Sequence, residues 1–187
     1  MVKLLAKIGS LLWLFHGKKV RQWKRLRIES WLYARKVRRI AKSVGPYITI
    51  HKKSTVTKTT VIGNYSGLSD VHIYGGGDVI IGNHTFVSEG TVIYSQNHNY
   101  DSDTLLPFGT DWTFKTVRID DCVWVGSFCI ILPGTHIGEG AIIQAGSVVH
   151  GEIPPCAIAG GNPAKVFAWR DKKHYEELKS AGRFAHC

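Results

Sequence analysis

Nine histidines give this chain its readiest means of moving protons near neutral pH. His98 stands apart in context, within the polar run Ser95-Gln96-Asn97-His98-Asn99-Tyr100-Asp101. An imidazole in such a loop can take a proton from a hydroxyl and return it to a leaving group. The other eight (His51, His72, His84, His136 and His150 in the body, His16, His174 and His186 in the flanks) lack that setting. Cys122, Cys129, Cys156 and Cys187 fall at no metal-ligand spacing and are too few to staple a miniature scaffold, so they read as reduced thiols. Glu89, Asp101, Asp103 and Asp111 lie near enough in sequence to orient the His98 ring, with Glu89 preferred because it sits at a turn just before the loop.

What positions His98 is a repeat. Ile119, Val125, Ile131, Ile137, Ile143 and Val149 recur every six residues, and the fourth residue after each of the first five is small or compact: Val123, Cys129, Thr135, Ala141, Ser147. The same beat runs through Ile50, Val56, Ile62 and Leu68, and again through Ile81, Val87 and Ile93. Six fits neither the 3.6-residue helix nor the two-residue strand period. It fits a short strand plus a corner, three of which close a triangular coil of about 18 residues; such coils stack about 4.8 Å apart. The large residue of each hexad points inward, and the small one fits near the corner. No single coil buries its apolar side, so the stack is stable only as a whole. The beat slips between Leu68 and Ile81, around Gly75-Gly76-Gly77, and between Ile93 and Ile119, where a loop leaves the coil at about 95–116. His98 opens that loop.

The flanks differ from this body. Of the 187 residues, the first 44 hold 13 Lys and Arg against Glu29 alone, while the remainder hold 11 against 13 acids. The net charge of +10 therefore belongs to the N-terminal segment and is no mark of a nucleic-acid-binding body. Residues 1–15 are apolar but broken by Lys7, have no small-x-small cleavage site after them, and lead into a basic run that opposes translocation. No run of 18 apolar residues is present. Residues 19–43 read as a basic helix with Trp23, Leu26 and Trp31, ended by Gly45-Pro46; it suits an anionic membrane surface, or packing on its own domain or a sister subunit. Residues 170–181 read as a helix that closes one coil end and stops at Gly182. The expected organisation is a largely helical extension over 1–46, a solenoid over 47–169 and a helix with tail over 170–187.

The hexads, the histidine loop, Val123-Trp124-Val125-Gly126, Pro154-Pro155 and Gly160-Gly161-Asn162-Pro163-Ala164-Lys165 together resemble the hexapeptide-repeat acyltransferases, most of all the sugar O-acetyltransferases. The resemblance covers roughly residues 48–180. It implies an all-β solenoid, a left-handed parallel β-helix of hexapeptide repeats with N-terminal basic helices and a C-terminal helix. It also implies a homotrimer with acetyl-CoA, the co-substrate, held between neighbouring copies. On this likeness His98 is the general base. Trp124, Ser127, Ala145, His150, Gly151 and Lys165 fall at cofactor-binding positions, Ser127 near the thioester and Lys165, helped by Arg170, near the phosphates. His150-Gly151 departs from the family's Thr-Lys pair, so a lysine is missing there. No metal is expected, since the zinc enzymes on this scaffold use a His pair four residues apart and this chain has none.

The expected activity is acetyl transfer from acetyl-CoA to a sugar hydroxyl in envelope polysaccharide biosynthesis, in the cytoplasm, peripheral at the inner face of the membrane. The family's sugar-holding Asn and Asp are absent upstream of the loop, so the acceptor differs from a small galactoside. The loop residues Tyr100, Leu105, Leu106, Phe108, Trp112 and Phe114 offer either stacking on a sugar or anchorage against a neighbour. Rival readings are transfer to an amino sugar, acetylation of an antibiotic, and a scaffold without catalysis that docks through residues 1–44. No nucleic-acid partner is expected.

Overall fold

The structure is a computed structural model and describes residues 28–185. The chain winds through three faces in strict rotation. The first face stacks β1 (Ser43–Val44), β3 (Thr60–Ile62), β6 (Val79–Ile81), β11 (Val117–Ile119), β14 (His136–Ile137) and β17 (Glu152–Ile153). The second stacks β2 (Ile48–Ile50), β4 (Ser66–Leu68), β7 (Phe86–Val87), β12 (Trp124–Val125), β15 (Ile142–Ile143) and β18 (Ala157–Gly161), with β19 (Ala164–Trp169) turned back antiparallel on β18. The third stacks β5 (His72–Tyr74), β8 (Val92–Tyr94), β13 (Ile130–Ile131) and β16 (Val148–Val149).

Register shows why the hexads work. Ile62, Ile81, Ile119, Ile137 and Ile153 form one inward column. Ile50, Leu68, Val87, Val125, Ile143 and Ala159 form the second. Ile73, Ile93, Ile131 and Val149 form the third, and all three columns are buried. The small residues are buried too, and several do more than fit. Ser66 Oγ donates to the Gly82 carbonyl (2.7 Å) and accepts from the Thr85 amide (3.1 Å). Thr85 Oγ1 donates to the Asp120 carbonyl (2.7 Å) and accepts from the Val123 amide (3.2 Å). Each hydroxyl thus satisfies buried backbone groups of the next coil, which would otherwise carry a desolvation cost.

The first slip resolves into two opposite irregularities. Leu68 to Ile73 is one residue short of a hexad, and Ile73 to Ile81 is two over. The second slip is a hairpin, β9 (Gln96–His98) paired antiparallel with β10 (Trp112–Phe114). It leaves the coil at the corner between the third and first faces, the same corner that holds Gly75-Gly76-Gly77 one coil below. Gly75 has φ +112°, and a Cβ there would lie 2.6 Å from Ser95 Oγ; at Gly76 it would lie 2.7 Å from the Phe114 ring. The triplet is glycine because the hairpin base rests on it.

The described part of the first helix, α1, is residues 28–40, so the helical expectation over 19–27 lies outside the described residues, as do residues 1–15. Val37 is buried in the core, with Tyr33, Ala34 and Ala41 packed beside it. Strand pairing begins at Ser43, ahead of Gly45-Pro46. The second helix, α2 (Lys172–Ser180), is capped by Asp171, whose side chain accepts from the His174 amide. It buries no residue and closes no coil end, contrary to the expectation for 170–181. Instead Tyr175 lies against Gly140 at the corner between the first and second faces and donates to Glu139 (2.8 Å).

Outside the core, Asp120 is held between Arg118 Nε (2.7 Å) and His136 Nε2 (2.9 Å). Partial burial pushes its carboxyl upward, but the bonds from His136 and Arg118 outweigh it and leave the group below its ordinary 3.8. A carboxyl depressed on folding adds stability above its unfolded value, lost as pH falls through the folded one. Asp120→Asn is therefore expected to cost about 1 kcal/mol at pH 7. The difference from the parent should shrink as pH falls below 3.8 and vanish once the folded-state carboxyl is protonated. Urea titrations at several pH values check this, and a pH-independent difference contradicts it.

Candidate active site

His98 ends β9 opposite Trp112 in the hairpin ladder. Its ring is half-buried, with the Phe108 ring centroid 3.9 Å from its own and the Trp112 centroid also at 3.9 Å. It opens into a cavity of about 570 Å³ lined by Tyr94, Gln96, Asn97, Asn99, Tyr100, Asp101, Thr113, Lys115, Leu132, Pro133 and His150. The hairpin supplies one wall and the corner between the third and first faces supplies the other. The loop tip is fastened by Asn99, whose side-chain amide donates to Asp111 Oδ2 (3.0 Å) and whose carbonyl accepts from the Gly109 amide (2.8 Å).

The sequence-predicted residues fall in three places. His150 shares the His98 cavity, and Gly151 follows it on the same corner. Ser127 and Ala145 form a column at the corner between the second and third faces, where the Gly146 amide donates to the Ser127 carbonyl (2.8 Å). Gly126 belongs to that column, and a Cβ on it would lie 2.6 Å from the Ala145 amide nitrogen. Trp124 stands outward on the second face, its indole N–H donating to Ser88 Oγ (3.3 Å), and lines a separate cavity of about 510 Å³ with Phe86, Tyr175 and Phe184. Lys165 is exposed on β19, while Arg170 Nε is tied to the Gly140 carbonyl (2.6 Å). A single copy thus brings His150, but not Ser127, Ala145 or Lys165, to His98.

Of the four acids, Glu89 is engaged by Lys52 and Asp111 by Asn99, while Asp101 lines the cavity and Asp103 is exposed; none bonds to the His98 ring among the described residues. Burial raises the thiols of Cys122, Cys129 and Cys156 above their ordinary 9.0, which disfavours the thiolate form that a nucleophile needs. Reasoning from sequence missed Lys115, Asn97, Asn99 and Tyr94 in the cavity wall. Their one signal was position, flanking the ends of the excursion. Phe108 and Trp112 were noted as loop aromatics but not as neighbours of the imidazole.

A three-sided stack of hexads with a histidine hairpin at one corner defines a hexapeptide-repeat solenoid. Residues 116–151 match the family model of the bacterial transferase hexapeptide (six repeats). A probable macrolide acetyltransferase of Lysinibacillus sphaericus is 32% identical over 131 residues, 62% of this chain and 71% of that one. A putative lipopolysaccharide biosynthesis O-acetyl transferase of Escherichia coli K12 is 34% identical over 58% of this chain and 57% of its own length. A Vibrio cholerae hexapeptide-repeat-containing acetyltransferase, solved in complex with acetyl coenzyme A, superposes with a TM-score of 0.57 at 27% identity, covering 68% of each chain. This chain belongs to the hexapeptide-repeat acyltransferases, and its fold is their left-handed parallel β-helix. It spans about half the length of several other curated relatives, between 41% and 55%.

Proposed function

We propose that this chain is an acetyl-CoA-dependent O-acetyltransferase that acts on a sugar hydroxyl, with His98 as general base. The observation that carries the reading is the open edge of the His98 ring in a cavity walled by amide, phenol and carboxylate groups from Asn97, Asn99, Tyr100 and Asp101. Such a wall suits a polyhydroxylated acceptor. The acetyl-CoA bound by the Vibrio relative and the O-acetyl transfer named for the Escherichia coli relative support the donor and the reaction class. His98 removes the hydroxyl proton, the oxygen attacks the thioester carbonyl, and collapse of the tetrahedral adduct expels the thiolate, which recovers the proton from His98. We assign the Ser127 amide as an oxyanion donor, Trp124 and Ala145 as the walls of the pantetheine groove, and Lys165 with His150-Gly151 as the phosphate end.

Those assignments need a second copy. The corner bearing Ser127 and Ala145 lies across the third face from the corner bearing His98, and that face exposes Tyr74, Tyr94 and Ile130. A homotrimer that covers this apolar face sets one copy's histidine corner against its neighbour's groove. The macrolide relative, together with the exposed Leu105 and Leu106 of the loop, favours a second reading, acetylation of an apolar antibiotic. We place the enzyme in the cytoplasm and assign an anionic membrane surface to residues 1–44. No helix among the described residues is long and apolar enough to cross a membrane. While Val37 faces the core, α1 turns Ile28, Trp31, Leu32 and Arg35 outward, Arg35 lying 5.6 Å from the Trp31 ring centre. That face combines burial with charge attraction.

His98→Ala is expected to lower acetyl transfer about 10²- to 10⁴-fold with the oligomer intact. Activity within a few-fold of the parent, over a panel of glycans and macrolides, removes His98 from the mechanism. His98→Ala mixed with a groove-blocked Ala145→Trp during refolding should recover about one quarter of the parent rate by random assortment; no recovery argues against a site shared between copies. Removing residues 1–27, which leaves α1 in place, should reduce sedimentation with anionic vesicles, and salt should do the same to the full chain. Equal sedimentation of both chains defeats the membrane assignment.

A further inference from the structure

We propose that Phe108 and Trp112 are positioning residues that clamp the His98 imidazole, rather than a platform for the acceptor sugar; this rests on His98 being the base. Two rings whose centroids both lie 3.9 Å from one imidazole, at 23° and 32° to it, cannot share a face of it. His98 is therefore covered above and below, and only its edge, which carries both nitrogens, is open. Rotation of the ring about its terminal bond would drive it through an aromatic plane, so the direction of the accepting lone pair is fixed.

The clamp also answers the charge that the reaction creates. As the hydroxyl proton transfers, the imidazole becomes a cation lying between two aromatic faces, each of which carries the negative lobe of a ring quadrupole. The stabilising groups are in place before the charge develops and need no reorganisation.

The fold builds this arrangement from two sides. Trp112 is the cross-strand partner of His98, fixed by the β9–β10 register. Phe108 comes from the loop tip, which the buried Gly109 and the Asn99–Asp111 pairing bend back over the hairpin. Neither Phe108 nor Trp112 lines the cavity, whereas Tyr94 and Tyr100 do. Stacking on the acceptor falls to those two tyrosines, and Phe108 and Trp112 act through His98.

The test uses the full chain with Phe108→Leu, Trp112→Leu and Trp112→Phe, and an acceptor that the parent acetylates. Both leucine variants should lower kcat about ten- to a hundredfold, because a misaligned base loses its near-attack geometry. KM for acceptor and acetyl-CoA should stay within about threefold, and Trp112→Phe should retain most of kcat. In carbon–proton NMR spectra, the His98 ring signal, identified through His98→Gln, should lie upfield in the parent. It should move downfield in each leucine variant as one ring current is lost. Leucine variants with kcat within about twofold of the parent overturn the clamp, as does an effect confined to acceptor KM, or an unshifted His98 signal in the parent. A parent that transfers no acetyl group overturns the O-acetyltransferase reading and the clamp together; transfer that needs His98 but neither aromatic overturns the clamp alone.

Discussion

Axial register is the constraint on which everything else rests. Each inward Ile, Val or Leu lies directly above its counterpart in the coil below, and the buried corner hydroxyls of Ser66 and Thr85 each reach a carbonyl and an amide of the next coil. A one-residue error anywhere would turn an apolar column outward. The stack tolerates irregularity only at corners, where the backbone leaves and rejoins without shifting the ladder. The short step from Leu68 to Ile73 and the long step to Ile81 cancel to within one residue, and β6 still pairs with β3 in full register. The hairpin at 96–114 obeys the same rule on a larger scale: β8 pairs with β13 as though nothing had been inserted between them.

This division of labour explains the site. A corner insertion carries no burden of holding the solenoid together, so its residues are free to be polar, aromatic and exposed. The scaffold below supplies rigidity through Gly75 and Gly76, which let Ser95 and Phe114 sit down on the coil. His98, the base we propose, is therefore carried on a loop but anchored like part of a strand, which is what positioning a reactive ring requires.

The columns of Ile50 through Val149 were legible in the sequence because a six-residue period has one simple structural solution and the side chains that obey it are chemically alike. The hairpin was legible as a count, 26 residues where 24 would keep the beat. How the 13-residue slip divides was not, since it depends on which strands pair. His98 could be singled out because it opens the polar loop that leaves the repeat one strand after an inward column residue, Ile93. Phe108, ten residues away in a stretch without period, could be joined to it only by the folded loop. The docking of α2 was equally hidden: Asp171 and Gly182 mark its ends, but nothing in a mostly exposed helix says which corner it will lie against. The cofactor positions were read from likeness alone, and they divide among the faces and corners of this chain, with only His150 beside His98.

The N-terminal end of the solenoid has a consequence of its own. A stack of parallel strands presents open backbone acceptors and donors at its last rung, the kind of edge along which chains add to one another indefinitely. Here Arg38 of α1 donates to the carbonyls of Val44 and Pro46 (3.2 and 2.7 Å), and Val37 plugs the hollow beneath. The helix thereby occupies the edge on which a further strand would otherwise add, so the first rung is closed by the chain's own side chains.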